Sequence, residues 1–281
     1  MRLGWGHAFP VPSRNEGLSG SKSTPVKGSL KKTQFGFSMP VSAPLFPRPP
    51  FLYKDATLMI FEYQTELEVA AGLLPEVDGL FLNDQPHTSG AGLVFASYPW
   101  SNPGPYKEVV QHLRVLYKGQ PMQYAAFLYV TTDAAMAAGR EMGGYPKKIG
   151  RIAFLPGPDY AAVLERPAGL RLGSGTMRPE QLLEPDTLPF HLPRPLPLDY
   201  LTLRVIPSPQ LDAPPTVLEL LETHWSVDWS EAWAGPGSCQ LTGASALDPL
   251  HLAPIKAPRY SLLLKGNINV SLNDRPSASP L

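Results

Sequence analysis

The stretch "GYPKKIGRIAF" (144–154) sets two lysines, Lys147 and Lys148, directly behind Pro146 and ahead of an apolar run. A primary amine there is either a solvated surface cation, the usual state of lysine, or a nucleophile toward a carbonyl carbon. The nucleophile must be neutral, and at a reference pKa near ~10.4 only about one lysine in 2,500 is neutral at pH 7. Lowering a lysine by about 4 units requires about 5.5 kcal/mol of lost cation stabilisation, which burial among apolar side chains can supply. A cationic neighbour helps, and the C-terminus of a preceding helix opposes it by only about 0.3–1 kcal/mol. In an extended chain adjacent side chains point to opposite faces, so Lys147 and Lys148 cannot share one pocket. The alternation alone does not say which of them faces inward.

Glu108 is the second candidate. In "GPYKE" it follows a Gly-Pro turn and opens a strand, a position from which a carboxylate can reach a cavity and shuttle protons. Its other reading is an exposed strand-edge carboxylate, and sequence spacing does not place it beside Lys147.

Other chemistries find little support. His7, His87, His112, His191, His224 and His251 form no HxxxH or HxH pair, and no metal site is expected. Neither GxGxxG nor GxxxxGK[ST] nor GxSxG occurs, which removes support for nucleotide and serine-hydrolase chemistry. Lys plus Arg and Asp plus Glu balance at 24 each, so no net field recruits nucleic acid or an anionic membrane surface. The apolar runs "AAFLYV" and "YSLLL" fall far short of the ~20 residues that span a bilayer. The lone Cys239 cannot form an internal disulfide, reads as a small buried hydrophobe, and fits a reducing, cytoplasmic setting.

The elements that must position the lysines are mostly strands. "ATLMIFEYQT", "GAGLVFASYPW", "KEVVQHLRVLYKG" and "QYAAFLYV" are strand candidates, and "ELEVAAGLLP" is a short helix stopped by Pro75. "TTDAAMAAGREM" is a helix, started at Thr132 or Asp133 and ended by Gly143-Gly144, after which "KKIGRIAFL" resumes as one strand. Further short strands follow, parted by prolines concentrated between Pro179 and Pro215. With 43% hydrophobic residues the 281-residue chain can bury a large core, and the pattern predicts a mainly β (α+β) fold: a single barrel or pair of packed sheets with a few short helices. Residues 1–38, basic and aperiodic with Glu16 as their one acidic residue, read as a disordered tail; 39–281 form the domain, and Met39 is a candidate start.

Taken together, "GREMGGYPKKIG", "SAPLFPRPPF", "FEYQTELEVAAGLLPE", "GPYKE", "YLTLRVIP" and "EAWAGPGSCQL" resemble, in order, segments of the acetoacetate decarboxylase family over roughly residues 39–270. The resemblance implies a β-barrel (cone) domain and a homo-oligomer. It implies that Lys147 forms a Schiff base with a small keto-acid substrate and that Glu108 is the active-site carboxylate. It also implies that Lys148 lowers the pKa of its neighbour; acetoacetate decarboxylase is itself the standard example of such activation. At Gln64 the decarboxylases carry an arginine after the tyrosine, a permanently charged, bidentate grip on the substrate carboxylate that a neutral amide does not reproduce.

The implied reaction is decarboxylation of a β-keto acid through an imine and enamine, with no cofactor required. The alternatives are aldolase-dehydratase or hydratase chemistry on pyruvate-type keto acids with the same lysine, and a non-catalytic barrel that binds a small ligand. Trp233 and Glu231 read more readily as turn and core residues than as substrate contacts. Arg140 and Glu141 read as ion-pair or loop-orienting residues, and Arg48 as either a core-edge ion pair or a pocket contact.

Overall fold

The strand that carries Glu108 belongs to a closed barrel, and the short strand that carries Lys147 pairs onto it in the same sheet. The computed structural model describes residues 25–83, 90–184, 196–242, 245–272 and 279–280, so most of the basic tail, His7, His87 and His191 lie outside the described residues. The described residues divide into two units, 25–35 and those from Gly36 onward. The first contains a single turn of 3-10 helix, Lys32–Gln34. In the second, Ser38 is buried and its hydroxyl bonds both the N–H and the carbonyl of Phe46.

In chain order the second unit runs β1 (Phe51–Gln64), α1 (Leu67–Ala71), β2 (Leu80–Leu82), β3 (Ala91–Tyr98), β4 (Trp100–Ser101), β5 (Tyr106–Tyr117), β6 (Gln120–Val130), α2 (Asp133–Gly143), β7 (Lys147–Ile149) and β8 (Arg151–Leu155). It continues with β9 (Tyr160–Glu165), β10 (Arg171–Met177), β11 (Gln181–Leu182), β12 (Leu196–Ile206), β13 (Val217–Ala234), β14 (Gly237–Leu241), β15 (Ala257–Leu272) and β16 (Ser279–Pro280). Seven of these close on themselves in the order β5-β3-β1-β15-β13-β12-β6, with β6 pairing back to β5. The predicted mainly β barrel is therefore present. A separate sheet, β14-β10-β9-β8, lies beside it.

Alternation along the strands separates two cores. Leu58, Ile60, Val94, Ala96, Val110, Leu128 and Val130 share one cluster, which Ala135 and Ala138 of α2 join. Their alternate neighbours Met59, Phe61, Leu93, Phe95, Val109 and Tyr129 meet Ile152, Phe154, Leu164 and Leu172 of the second sheet. The first set faces the barrel interior and the second faces outward onto that sheet.

Two turns set the register around the site. Lys118 (φ 50°) and Gly119 (φ 79°) make the tight two-residue connection between β5 and β6, in the left-handed conformation that matches the twist of a hairpin. Helix α2 is the crossover between parallel strands β6 and β7, and it ends at Gly144 with φ 64°. A Cβ at Gly144 would also stand 3.0 Å from the Arg204 backbone, so this C-cap requires glycine for both conformation and space.

"KKIGRIAFL" differs from its expectation as one strand. It divides at Gly150 into β7, on the barrel, and β8, in the second sheet. The chain changes sheets where a side chain would press against Leu164 Cδ1 and Tyr129 Cβ, at 3.1 and 3.4 Å. Among the described residues no helix is long and apolar enough to cross a membrane.

Candidate active site

The register carries Lys147 inward. β7 pairs with β6 so that Lys147 lies opposite Leu128, a residue of the barrel interior, while Lys148 lies opposite Tyr129, a residue of the outer core. On the other side of β6, Glu108 of β5 stands opposite Val130, again an interior position. Two residues 39 positions apart thus point into one space, and Lys147 Nζ donates to Glu108 Oε2 at 2.9 Å. Both side chains are buried, at 5% and 3% exposure, so the pair is an ion pair out of bulk water.

The surroundings are aromatic and aliphatic. The pocket at Lys147, about 360 Å³ including its open mouth, is lined by Phe51, Tyr53, Pro103, Tyr106, Ala135, Ala138, Gly139, Gly143, Tyr145, Trp225, Val270 and Leu272. Lys147 Nζ lies 5.5 and 5.6 Å from the ring centres of Tyr106 and Tyr145, within cation–π range. Tyr98 donates its hydroxyl to Glu108 Oε1 at 3.3 Å, and the hydroxyls of Tyr53 and Tyr106 bond each other at 3.1 Å. Burial, and after it the negative charge of Glu108, push the Tyr53, Tyr98 and Tyr106 hydroxyls well above their ordinary value. These phenols therefore stay protonated at neutral pH and serve as hydrogen-bond donors. Burial raises Tyr145 as well, although Thr223 and the indole N–H of Trp225 both bond its hydroxyl.

Helix α2 both covers and shapes the site. Arg140, exposed on its last turn, donates Nη1 to the Lys147 carbonyl at 3.2 Å and so fixes the lysine's backbone, the loop-orienting role of its two sequence readings. Gly139 faces the lysine chain itself: a Cβ there would stand 2.4 Å from Lys147 Cδ and 2.5 Å from Cε.

Lys148 takes the opposite face. Its Nζ donates to Asp248 Oδ1 at 2.9 Å and also to the Leu247 carbonyl. Asp248 is buried and further accepts from Tyr129 at 3.1 Å and pairs with Arg166 at 3.3 Å. The charge of Lys148 is thus matched by a carboxylate outside the barrel and does not face the Lys147 pocket. Its geometry is that of a clasp holding residues 247–248 against β7, and strand alternation is the reason.

Gln64 lies away from this pocket. It ends β1, exposed, with its carbonyl accepting from Lys256 N–H, and it is not among the pocket residues. The pocket meets β1 at Tyr53, eleven residues earlier, on the order of 35 Å along an extended strand. A sequence correspondence gave no information on strand length between that position and the lysine, so the distance was not visible.

The remaining candidates are structural. The Trp233 indole donates to Glu231, which also holds Lys265; both lie within β13 and not in a turn, and of the expected turn-and-core role only the packing of Trp233 against the outer core is present. The Arg48 guanidinium sits 4.8 Å over the Phe37 ring, which is neither of its two expected roles. Cys239 is half-buried, and burial pushes its thiol up to about 12. Among the described residues no group of three His, Cys, Asp or Glu side chains is arranged to hold a metal.

Sequence reasoning missed a second polar cluster inside the barrel. Glu62 bonds His112 Nε2 at 3.0 Å and Arg114 Nε at 3.1 Å, further along the strands that carry Tyr53 and Glu108. Glu62 and His112 reach each other across Gly92, which pairs with both; a Cβ there would stand 2.4 Å from the imidazole. The available signal was a lone Glu within "MIFEY" and a His and an Arg two residues apart on a buried strand.

Comparisons with known proteins agree with this architecture. The family profile described as acetoacetate decarboxylase (ADC) matches residues 38–270. A curated acetoacetate decarboxylase of Acidiphilium cryptum is 30% identical over 222 residues, covering 78% of this chain and 83% of its own length. A solved structure described as structural studies of acetoacetate decarboxylase superposes with a TM-score of 0.74 at 24% identity, covering 87% of this chain and 98% of its own. The enduracididine biosynthesis enzyme MppR, solved with the condensation product of pyruvate and imidazole 4-carboxaldehyde, superposes at 0.67 with 18% identity, covering 87% and 96%. With the profile spanning most of its length and the same barrel in its relatives, the chain belongs to the acetoacetate decarboxylase family.

Proposed function

We propose that the protein is a carbon–carbon lyase that decarboxylates a small β-keto acid through a Schiff base on Lys147. The observation that carries this reading is the buried Lys147–Glu108 pair at 2.9 Å in an aromatic pocket. A lysine and a carboxylate in contact and out of water can exchange the proton that must leave before the amine attacks. Lys147 passes a proton to Glu108, and the neutral amine adds to the ketone carbon to give a carbinolamine. Glu108 returns the proton to the carbinolamine hydroxyl, which leaves as water, and a protonated imine remains. The bond to the carboxylate then breaks, its electrons moving into the imine to form an enamine while carbon dioxide departs. A proton drawn from solvent through Glu108 goes to the enamine carbon, and water hydrolyses the imine to release the ketone and Lys147.

A second reading keeps Lys147 and Glu108 and turns the enamine on an aldehyde. What favours it is the MppR structure, where the same barrel holds a condensation product of pyruvate and an aldehyde. Carbon dioxide release from acetoacetate, measured beside consumption of pyruvate plus an aldehyde, separates the two. Release that Lys147→Ala abolishes supports decarboxylation; no release at any pH, with pyruvate and aldehyde consumed, supports condensation.

A further inference from the structure

The charge inventory of the pocket bears on which carbonyl compounds can enter it. Among the described lining residues Lys147 is the one cationic side chain, and Glu108 already holds its ammonium at 2.9 Å. The walls that face it are Phe51, Tyr53, Tyr106, Tyr145, Trp225 and Leu272, with small residues of α2 behind the lysine chain. A carboxylate brought into this space loses its water shell and gains no guanidinium or second ammonium from the described lining residues. An unpaired charge in a low-dielectric site costs several kcal/mol. The carboxylate that already holds the Lys147 ammonium, Glu108, carries the same sign of charge. The rings, by contrast, offer apolar area that stabilises an alkyl or aryl substituent by about 25 cal/mol for each Å² withdrawn from water.

We propose that, among compounds able to form the Lys147 imine, this site selects those with no charge near the ketone and with an apolar substituent, so that a small charged keto acid binds weakly and a neutral carbonyl compound of similar length binds better. The selection rests on the imine reading of Lys147. It also gives the decarboxylation a direction, because a carboxylate that the pocket does not pair leaves it as neutral carbon dioxide. The ketone product then competes with its own precursor for the site.

Two methyl ketones of similar length that cannot lose carbon dioxide by this route isolate the charge: 2-hexanone and 4-oxopentanoate. Each is titrated against the full-length protein with borohydride, and the adduct on Lys147 is quantified by peptide mass spectrometry, with acetoacetate as a third probe. Selection against charge requires 2-hexanone to reach half-maximal labelling at a concentration at least tenfold below 4-oxopentanoate. Leu272→Arg, at the half-buried end of β15 beside the pocket, should narrow that ratio by improving labelling with 4-oxopentanoate. Equal labelling, or better labelling by 4-oxopentanoate in the wild type, overturns the selection while leaving the imine intact. No adduct on Lys147 with any of the three overturns the selection and the imine reading together.

Discussion

Gly139 of α2 leaves open the space that the Lys147 side chain fills, for a Cβ at Gly139 would stand 2.4 Å from Lys147 Cδ and 3.1 Å from its Nζ. Gly139→Ala therefore has opposite effects on folding and on turnover. Alanine gains up to about 1 kcal/mol of helix propensity, while the lysine chain must swing away from Glu108. The protein should keep its thermal midpoint within a few degrees and lose about 100-fold in kcat, the effect of roughly 1 Å of misplacement. Wild-type turnover in a well-folded Gly139→Ala protein contradicts this packing.

Glu108→Gln removes the carboxylate but keeps its shape. Loss of the proton shuttle should lower kcat by about 10²–10⁴, and Lys147, buried without its counter-ion, should cost about 3 kcal/mol of stability. Chemical denaturation and steady-state kinetics on the same preparation read both. A variant with native stability and unchanged kcat would place the proton transfers elsewhere.

Lys148 is predicted to act through position. Its partner Asp248 lies on the outer face of β7, so Lys148→Arg, which can keep that ion pair, should retain most activity. Lys148→Met should lower the thermal midpoint and kcat together by loosening β7, with the midpoint of the pH–rate profile unmoved. A direct electrostatic action on the nucleophile predicts instead that the midpoint rises toward the ordinary lysine range in Lys148→Met.

Much of this arrangement was legible in the sequence. Period-two runs gave the strands, and the Gly143-Gly144 stop placed the end of α2 just ahead of Lys147, where Gly144 makes the left-handed cap. Alternation correctly made the two lysines unequal. What local pattern could not supply was register: Glu108 meets Lys147 through two successive strand pairings, and Asp248 meets Lys148 from 100 residues away. The distance of Gln64 from the Lys147 pocket was hidden for the same reason, since a residue matched by motif says nothing of which end of a long strand faces the pocket. The division of "KKIGRIAFL" at Gly150 likewise depends on Leu164 and Tyr129, which only the folded chain brings together.

Acid should weaken the barrel through Glu62. Burial acts to raise its carboxyl, but the charges of Arg114 and His112, with the bonds both donate, outweigh burial and hold it below the ordinary carboxylate range. A carboxyl lowered on folding stabilises the native state fully above its unfolded value near ~4.3, and that contribution is lost as pH falls through the lower folded value. The stability difference between wild type and Glu62→Gln should therefore be largest near neutrality and shrink below about pH 4. Thermal midpoints of both proteins measured between about pH 7 and pH 3 check the sign; a constant difference across that range contradicts it.

The central claim is that Lys147 is the nucleophile, and it is tested most directly by borohydride reduction in the presence of acetoacetate followed by intact-protein and peptide mass spectrometry. A single reduced adduct on the peptide carrying Lys147, absent from Lys147→Ala and undiminished in Lys148→Arg, is the predicted result. An adduct on another lysine, or none under conditions where carbon dioxide is released, contradicts it.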